Sequence, residues 1–333
     1  MKRIATLFKV VLPLALGVFL IWYFIKDLSD DDLNQIYGSF ESANYWWILL
    51  SFLFAMLSHL SRAYRWSFTL SPLGYKPKYW NSFFAVMIAY LVNLAVPRLG
   101  EFTRCGVMTK YEKIPFEKLL GTVIAERIAD LIILILVTIA VVFIQMEVIG
   151  GMVFEIAEAI KSKFSMGVLL VLVILLFGGG GSLLFLFFNK SFQHPLLVKI
   201  RGFIYGLFEG VISILKMKQK WEFIGHTIFI WLMYVAMFYV CFFSLPETSG
   251  VPFGGILTGF VLGGFTIVLT NGGIGAYPLA IQAVLMLYEV DKNTGGAFGW
   301  IVWAAQTVLL LFFGALSFML MPIYNRQFQD EPA

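Results

Sequence analysis

"NLAVPRLGEFTR", running from Asn93 to Arg104, is the stretch on which the fold turns. It places Arg98, Glu101 and Arg104 just behind Pro97 and around Gly100, between an aromatic and aliphatic run and the long apolar run that opens at Leu119. Proline removes a backbone donor and glycine admits backbone shapes that other residues resist, so a helix entering this stretch stops or turns. In a water-soluble chain such a cluster marks an ordinary loop. Here its surroundings are too apolar for that.

Of the 333 residues, 60% are hydrophobic and 13% charged; a soluble domain carries about 25% charged residues. Apolar runs fall at roughly 5–25, 45–61, 79–97, 119–145, 166–188, 223–245, 252–288 and 297–323, several near the ~20 residues that cross a bilayer core of about 30 Å. Backbone groups inside a bilayer must satisfy one another, so the expected fold is all-α: a polytopic bundle of membrane helices forming one integral membrane domain over 1–333. The basic start "MKRIATLFKVVLPLALGVFLIWYFI" has too long an apolar run and no small-residue cleavage site for a removed leader, and reads as an uncleaved first helix. Cys105 and Cys241 lie in or near apolar segments and imply no disulfide framework.

Charge distribution sets the topology. If 79–97 crossed the bilayer once, the basic segments 98–118 and 189–222 would both face outward with eleven of the 24 Lys and Arg, against the positive-inside rule. If instead 79–97 enters from the cytoplasm and turns back, and 252–288 does the same from outside, the N-terminus, 62–78, 98–118, 189–222 and the C-terminus are cytoplasmic. They hold nineteen of these residues, and four are external (Lys26, Lys161, Lys163, Lys292). Arg127 then lies within a helix, and the acidic "KDLSDDDLNQIYGSFE" falls outside. This gives about six full crossings, two re-entrant hairpins and cytoplasmic termini. Breakers stand where turns are needed: Pro97 and Gly100 in the first hairpin; Asn271, Gly272, Gly273, Gly275 and Pro278 in "LTNGGIGAYP" of the second. Broken segments entering from opposite faces match inverted-repeat transporters, whose substrate sites lie where such helices meet. The competing reading is that Gly and Pro only kink ordinary helices.

Arg98, Glu101 and Arg104 are spaced i, i+3, i+6 and share a face if helical. In "GTVIAERIADLIILILV", Glu126, Arg127 and Asp130 sit inside an apolar run, Asp130 about 16 Å beyond Leu119. Each isolated charge near a helix centre costs about 2.5–3.5 kcal/mol, so six of mixed sign are paired or hydrated within protein. They form either an ion-pair network that fixes helix packing or a site that exchanges an internal anion for a substrate phosphate or carboxylate, which arginine's planar fork binds bidentately. Spacing does not say whether Glu101 meets Arg127. Asn93 and Asn271 join these six as candidate substrate-binding residues, with Pro97, Gly100, Gly272, Gly273, Gly275 and Pro278 as the backbone of the hairpins.

"NLAVPRLGEFTR", then "AERIADL", then "NGGIGAYP" resemble the motifs of the lysylphosphatidylglycerol synthase transmembrane-region family, flippase-like membrane proteins. The resemblance runs over nearly the whole chain in order and hydropathy. It implies an integral protein of a bacterial or archaeal inner membrane that moves a phospholipid or handles a lipid-linked substrate. The family's motif residues fall on Asn93, Pro97, Arg98, Gly100, Glu101, Arg104, Glu126, Arg127, Asp130, Gly272, Gly273 and Gly275. Better-understood relatives carry a soluble synthase domain; this chain stops at "MPIYNRQFQDEPA", so lipid aminoacylation by this chain is not expected.

"HLSRAYRW" carries His59, Arg62, Arg65 and Trp66 at the end of the second run, where basic and aromatic side chains are expected to act as snorkelling anchors at the cytoplasmic interface. Apolar residues between Leu197 and Lys218 follow a helical period with basic edges, predicting an amphipathic helix on the cytoplasmic surface. "GGGGS" at 178–182 predicts close packing or a bend within the fifth run. His59, His194 and His226 lack metal-ligand spacing, so neither metal nor cofactor is expected. The sequence holds no phosphate-binding loop, dinucleotide fingerprint or nucleophile elbow, and its basic segments flank helices rather than suggest nucleic-acid binding. The reading is therefore a lipid or lipid-linked-intermediate translocase. The alternatives are a non-catalytic partner of a separately encoded envelope-lipid enzyme and a membrane-embedded lipid transferase with Glu101 or Glu126 as general base.

Overall fold

The computed structural model describes Phe19, Trp22, Lys26 and residues 28–96, 98–148, 217–270 and 272–327. The chain forms two compact units, 1–141 with 217–333, and 142–216; of the second, only 142–148, helical apart from a turn at Gln145, are described. The expected first and fifth crossings, the amphipathic helix at 197–218 and the glycines at 178–181 lie outside the described residues, save for isolated residues near the end of the first and residues 217 and 218.

The first unit is helical. A short α1 (Asp30–Ser42) precedes α2 (Tyr45–Leu70), α3 (Tyr79–Ala95), α4 (Leu99–Glu112) and α5 (Phe116–Ile144). After the second unit come α6 (Lys220–Cys241), α7 (Phe253–Leu269), α8 (Ala276–Met286) and α9 (Lys292–Arg326). The segments 45–73, 116–144, 220–244 and 292–326 are long and apolar enough to cross a membrane. By contrast α3 and α7, at 17 residues each, span about 25 Å and fall short of a bilayer core.

Local signals explain the helix starts. Ser29 caps α1 in a capping box: its hydroxyl accepts from the Asp32 N–H while the Asp32 carboxylate accepts from the Ser29 N–H. Asn44 caps α2 by accepting from the Trp46 N–H, and Asp291 caps α9 by accepting from the N–H groups of Asn293 and Thr294.

The two broken segments are hairpins rather than kinked helices, and the first is longer than the expected 79–97, because Tyr79–Ala95 is one limb and α4 the other. At the first, α3 ends at Ala95 and Arg98 takes a left-handed conformation at φ 65° before α4 begins. The Asn93 side-chain carbonyl accepts from the Gly100 N–H at 2.7 Å, folding α4 back on α3. A Cβ on Gly100 would stand 2.1 Å from the Ala89 carbonyl, so the approach requires glycine. At the second, Gly272, Gly273 and Gly275 take φ of 64°, 77° and 69°, a region L side chains resist, and the Trp303 indole donates to the Gly272 carbonyl at 2.8 Å. Gly263 lies against Tyr277 and Gly255 against Tyr288, the register of an antiparallel pair. Leu94, near the first break, is the neighbour a Cβ on Gly272 would meet, at 3.7 Å: the two breaks approach each other.

The order long helix, hairpin, long helix therefore occurs twice: α2, α3–α4, α5 and α6, α7–α8, α9. Contacts give their sense. Antiparallel pairs are α2 with α6 (Asn44 with Ser244, Ser61 with His226), α2 with α5 (Arg62 with Asp130, Trp66 with Thr122) and α2 with α3 (Tyr64 with Tyr79, His59 with Tyr90). So are α3 with α9 (Asn81 with Asn325, Leu91 with Gly314) and α8 with α9 (Pro278 with Gly299, Gln282 with Lys292). Chaining these pairs, each element of the second series runs opposite to its counterpart in the first.

Gly100→Ala is expected to cost about 1–3 kcal/mol, the range for overpacking a close-fitted interior, whereas Gly121→Ala on α5, with nothing within 4 Å of its new Cβ, stays neutral or stabilises by up to about 1 kcal/mol. Chemical unfolding in detergent compares the two. Asp32, held down to about pKa 2 by the backbone and hydroxyl of Ser29 and by Asn293, stabilises the fold above its unfolded value near about 3.9. A depressed carboxyl loses this contribution as pH falls through its folded value. The melting difference between wild type and Asp32→Ala should thus persist at pH 6 and close as pH falls from about 4 towards 2.

Candidate functional site

The charged residues of α2, α4 and α5 meet in one network. Arg62 Nη1 donates to Asp130 Oδ2 at 2.7 Å and Arg65 Nη1 to Asp130 Oδ1 at 2.9 Å, so one carboxylate is shared by two buried arginines. Arg104 Nη1 donates to Glu126 Oε2 at 2.7 Å, while Arg65 Nε lies 3.8 Å from Glu126 Oε1. Arg127 Nη2 lies 3.3 Å from Glu101 Oε1, and its Nη1 3.6 Å from Asp130 Oδ2. Glu126, ten residues into α5, sits about 15 Å along that helix.

Neutral groups hold this network in place. The Arg104 guanidinium stacks on the Trp66 indole, 3.5 Å from its centroid, a cation–π contact worth about 2 kcal/mol when desolvated. The indole donates to the Thr122 hydroxyl. Arg65 also donates to Thr227 on α6, and Arg62 to the Tyr234 hydroxyl, which lies 3.4 Å from that of Tyr90. The network thus ties the first hairpin to α2, α5 and α6.

Four arginines against three carboxylates leave one positive charge over. Donors also remain: Arg62 Nε, Arg65 Nη2, and Arg104 Nε and Nη2 are buried without hydrogen-bond partners among the described residues, as is the acceptor Glu101 Oε2. A cavity of about 10 Å³ lies among Arg62, Tyr90, Asn93, Glu101, Arg104 and Arg127, room for about one water molecule. The site is positive and under-coordinated.

Of the sequence-predicted residues, Glu101, Arg104, Glu126, Arg127 and Asp130 come together, and Asn93 lines the cavity while closing the hairpin. Arg98 stands apart at the exposed break, with no carboxylate partner among the described residues. Gly100, Gly272, Gly273 and Gly275 occupy the turns and approaches described above; Pro278 is buried where α8 meets α9. Pro97 and Asn271 lie outside the described residues.

One expectation is corrected. His59, Arg62, Arg65 and Trp66 are not interfacial anchors: all four are buried, and the two arginines carry the centre of the network. The helix continues to Leu70, and Asp130 and Glu126 supply the charge that permits burial. The signal that would have found them is a polar stripe at Ser58, Ser61, Arg62, Arg65, Trp66 and Thr69, one face of a helix at spacings of three and four.

Comparison with known proteins bears on the family. The sequence signature described as the lysylphosphatidylglycerol synthase TM region matches residues 10–314. The UPF0104 membrane protein MJ1595 of Methanocaldococcus jannaschii is 28% identical over 113 residues, which cover 33% of this chain and 34% of that relative. No solved structure matches the chain.

Breaking a buried pair strands its partner's charge, at a cost of about 3–5 kcal/mol. Glu126→Ala should show this loss in unfolding experiments. Glu101→Ala, whose partner Arg127 reaches the surface, should lose about 1 kcal/mol or less.

Proposed function

The chain belongs to the lysylphosphatidylglycerol synthase TM region family, and we propose that it is a translocase for a lipid or lipid-linked substrate whose anionic headgroup enters the arginine cluster. One observation carries this reading: a buried cluster with one positive charge in excess and unspent guanidinium N–H groups around a cavity. Packing alone requires neither the excess charge nor the spare donors. Both are features of a site that completes itself with an oxyanion, and arginine's fork suits phosphate or carboxylate.

In this reading α3–α4 and α7–α8 are re-entrant hairpins entering from opposite faces of a bacterial or archaeal inner membrane, with both termini cytoplasmic. The charge distribution supports the orientation, and the inverted order of elements and the short α3 and α7 support the re-entry. The headgroup moves along the polar seam between the first hairpin and α2, α5 and α6, while the acyl chains stay in lipid. Arg98, exposed at the break, meets the headgroup first. The small cavity is then one state of the cycle, and displacement of α4 from α5 enlarges it. Directional movement draws on an ion gradient or a downstream sink.

The test is headgroup movement in proteoliposomes reconstituted with fluorescent phospholipids of several headgroup classes. Wild type is expected to move at least one anionic class. Arg127→Gln should lower the rate by about tenfold, the effect of losing a hydrogen bond to a charged group, and Arg98→Ala should lower it less. Undiminished movement in Arg127→Gln and Arg62→Gln, both correctly folded, would remove the cluster from the transport path.

A further inference from the structure

We infer that Glu101 is the internal anion of this site: its carboxylate occupies, on Arg127, the place that the substrate's oxyanion takes, and the two exchange one for one. The inference rests on the translocase reading and assigns the exchange to one residue. The three carboxylates differ sharply in how firmly they are held. Asp130 accepts from two arginines at 2.7 and 2.9 Å and lies 3.6 Å from a third. Glu126 is wholly buried between Arg104 at 2.7 Å and Arg65 at 3.8 Å. Glu101 meets one arginine, at 3.3 Å, through one oxygen; its other oxygen is buried without a hydrogen bond. Releasing it costs least.

Position agrees with hold. Glu101 stands in the first turn of α4, three residues beyond Arg98 at the break, and its side chain is 25% exposed. Arg127, at 42%, is far more exposed than the buried Arg62, Arg65 and Arg104. The Glu101–Arg127 pair therefore forms the accessible end of the cluster, with the cavity behind it. If Glu101 swings outward, the space of its carboxylate joins that cavity, which Arg62, Arg104 and Arg127 line, the first two with unspent donors.

Charge bookkeeping names the ligand class. With Glu101 in place the cluster carries one positive charge; without it, two. A monoanion, whether phosphodiester or carboxylate, restores the original balance of the cluster, while Glu101 keeps its own charge outside it. A phosphomonoester dianion changes it by one. The selected substrate is thus a singly charged oxyanion.

Glu101→Gln keeps the shape and removes the competing charge. Binding is measured by calorimetry on the full chain in detergent, with three probes: a short-chain phosphodiester lipid, its water-soluble headgroup phosphodiester, and short-chain phosphatidic acid. Glu101→Gln is expected to bind the phosphodiester lipid about tenfold more tightly than wild type, because a like charge no longer competes, and to move it more slowly because release is hindered. Tighter binding of the soluble headgroup as well would place recognition in the phosphate itself; tightening of the lipid alone would show that the chains contribute. Either supports the exchange. Glu101→Asp, whose shorter carboxylate draws back from Arg127, should tighten binding less, and supplies the test if the glutamine variant does not fold. Unchanged or weaker binding in the folded variant would overturn the inference and leave Glu101 a structural tie; so would stronger gain for phosphatidic acid than for the phosphodiester. If wild type moves lipid and Arg127→Gln does not, the translocase reading survives that failure. If wild type neither binds nor moves any probe, both fail together.

Discussion

The shared carboxylate of Asp130 constrains this protein more than any other group. It stands within an apolar helix, where an isolated charge costs about 2.5–3.5 kcal/mol, and accepts from Arg62 and Arg65 of a neighbouring helix. Those arginines face the same cost and have no comparable solution elsewhere. α2 and α5 must therefore lie side by side in opposite directions, because only that alignment also brings Trp66 onto Thr122. Thr227 and Tyr234 then fix α6 by accepting from Arg65 Nη1 and Arg62 Nη2.

The first hairpin is fitted to this framework. Gly100 brings the backbone of α4 against α3, and α4 delivers Arg104 to Glu126 and Glu101 to Arg127. A side chain at position 100 would separate the limbs and shift both pairs. The second hairpin uses glycines differently, as a turn with three positive φ angles pinned by Trp303. Its break approaches that of the first through Gly272 and Leu94, so two segments distant in sequence meet near the polar cluster.

Within the cluster, burial divides the labour. Glu126 and Asp130 neutralise arginines that have no route to solvent, and serve the fold first. Glu101 and Arg127 sit where the same network reaches the surface, through a weaker and longer contact. A network that is tight at its centre and loose at its edge can keep its helices in place while exchanging an anion at the rim. That division connects the structural reading of the charges with the functional one.

The sequence by itself determined the class of fold, the two breaks and most of the charged residues. Hydropathy, Pro97, Gly100 and the "NGGIG" turn act locally, and a local cause leaves a local trace. Glu126, Arg127 and Asp130 were legible because charges in an uncharged run demand explanation. Arg62 and Arg65 read as anchors because they end an apolar run beside a tryptophan, and an anchor and a buried ion pair look alike in one dimension. Only the tertiary structure decided between them. A buried charge is stabilised by a partner that lies 65 to 68 residues away, and no local pattern records which helix brings that partner within 3 Å.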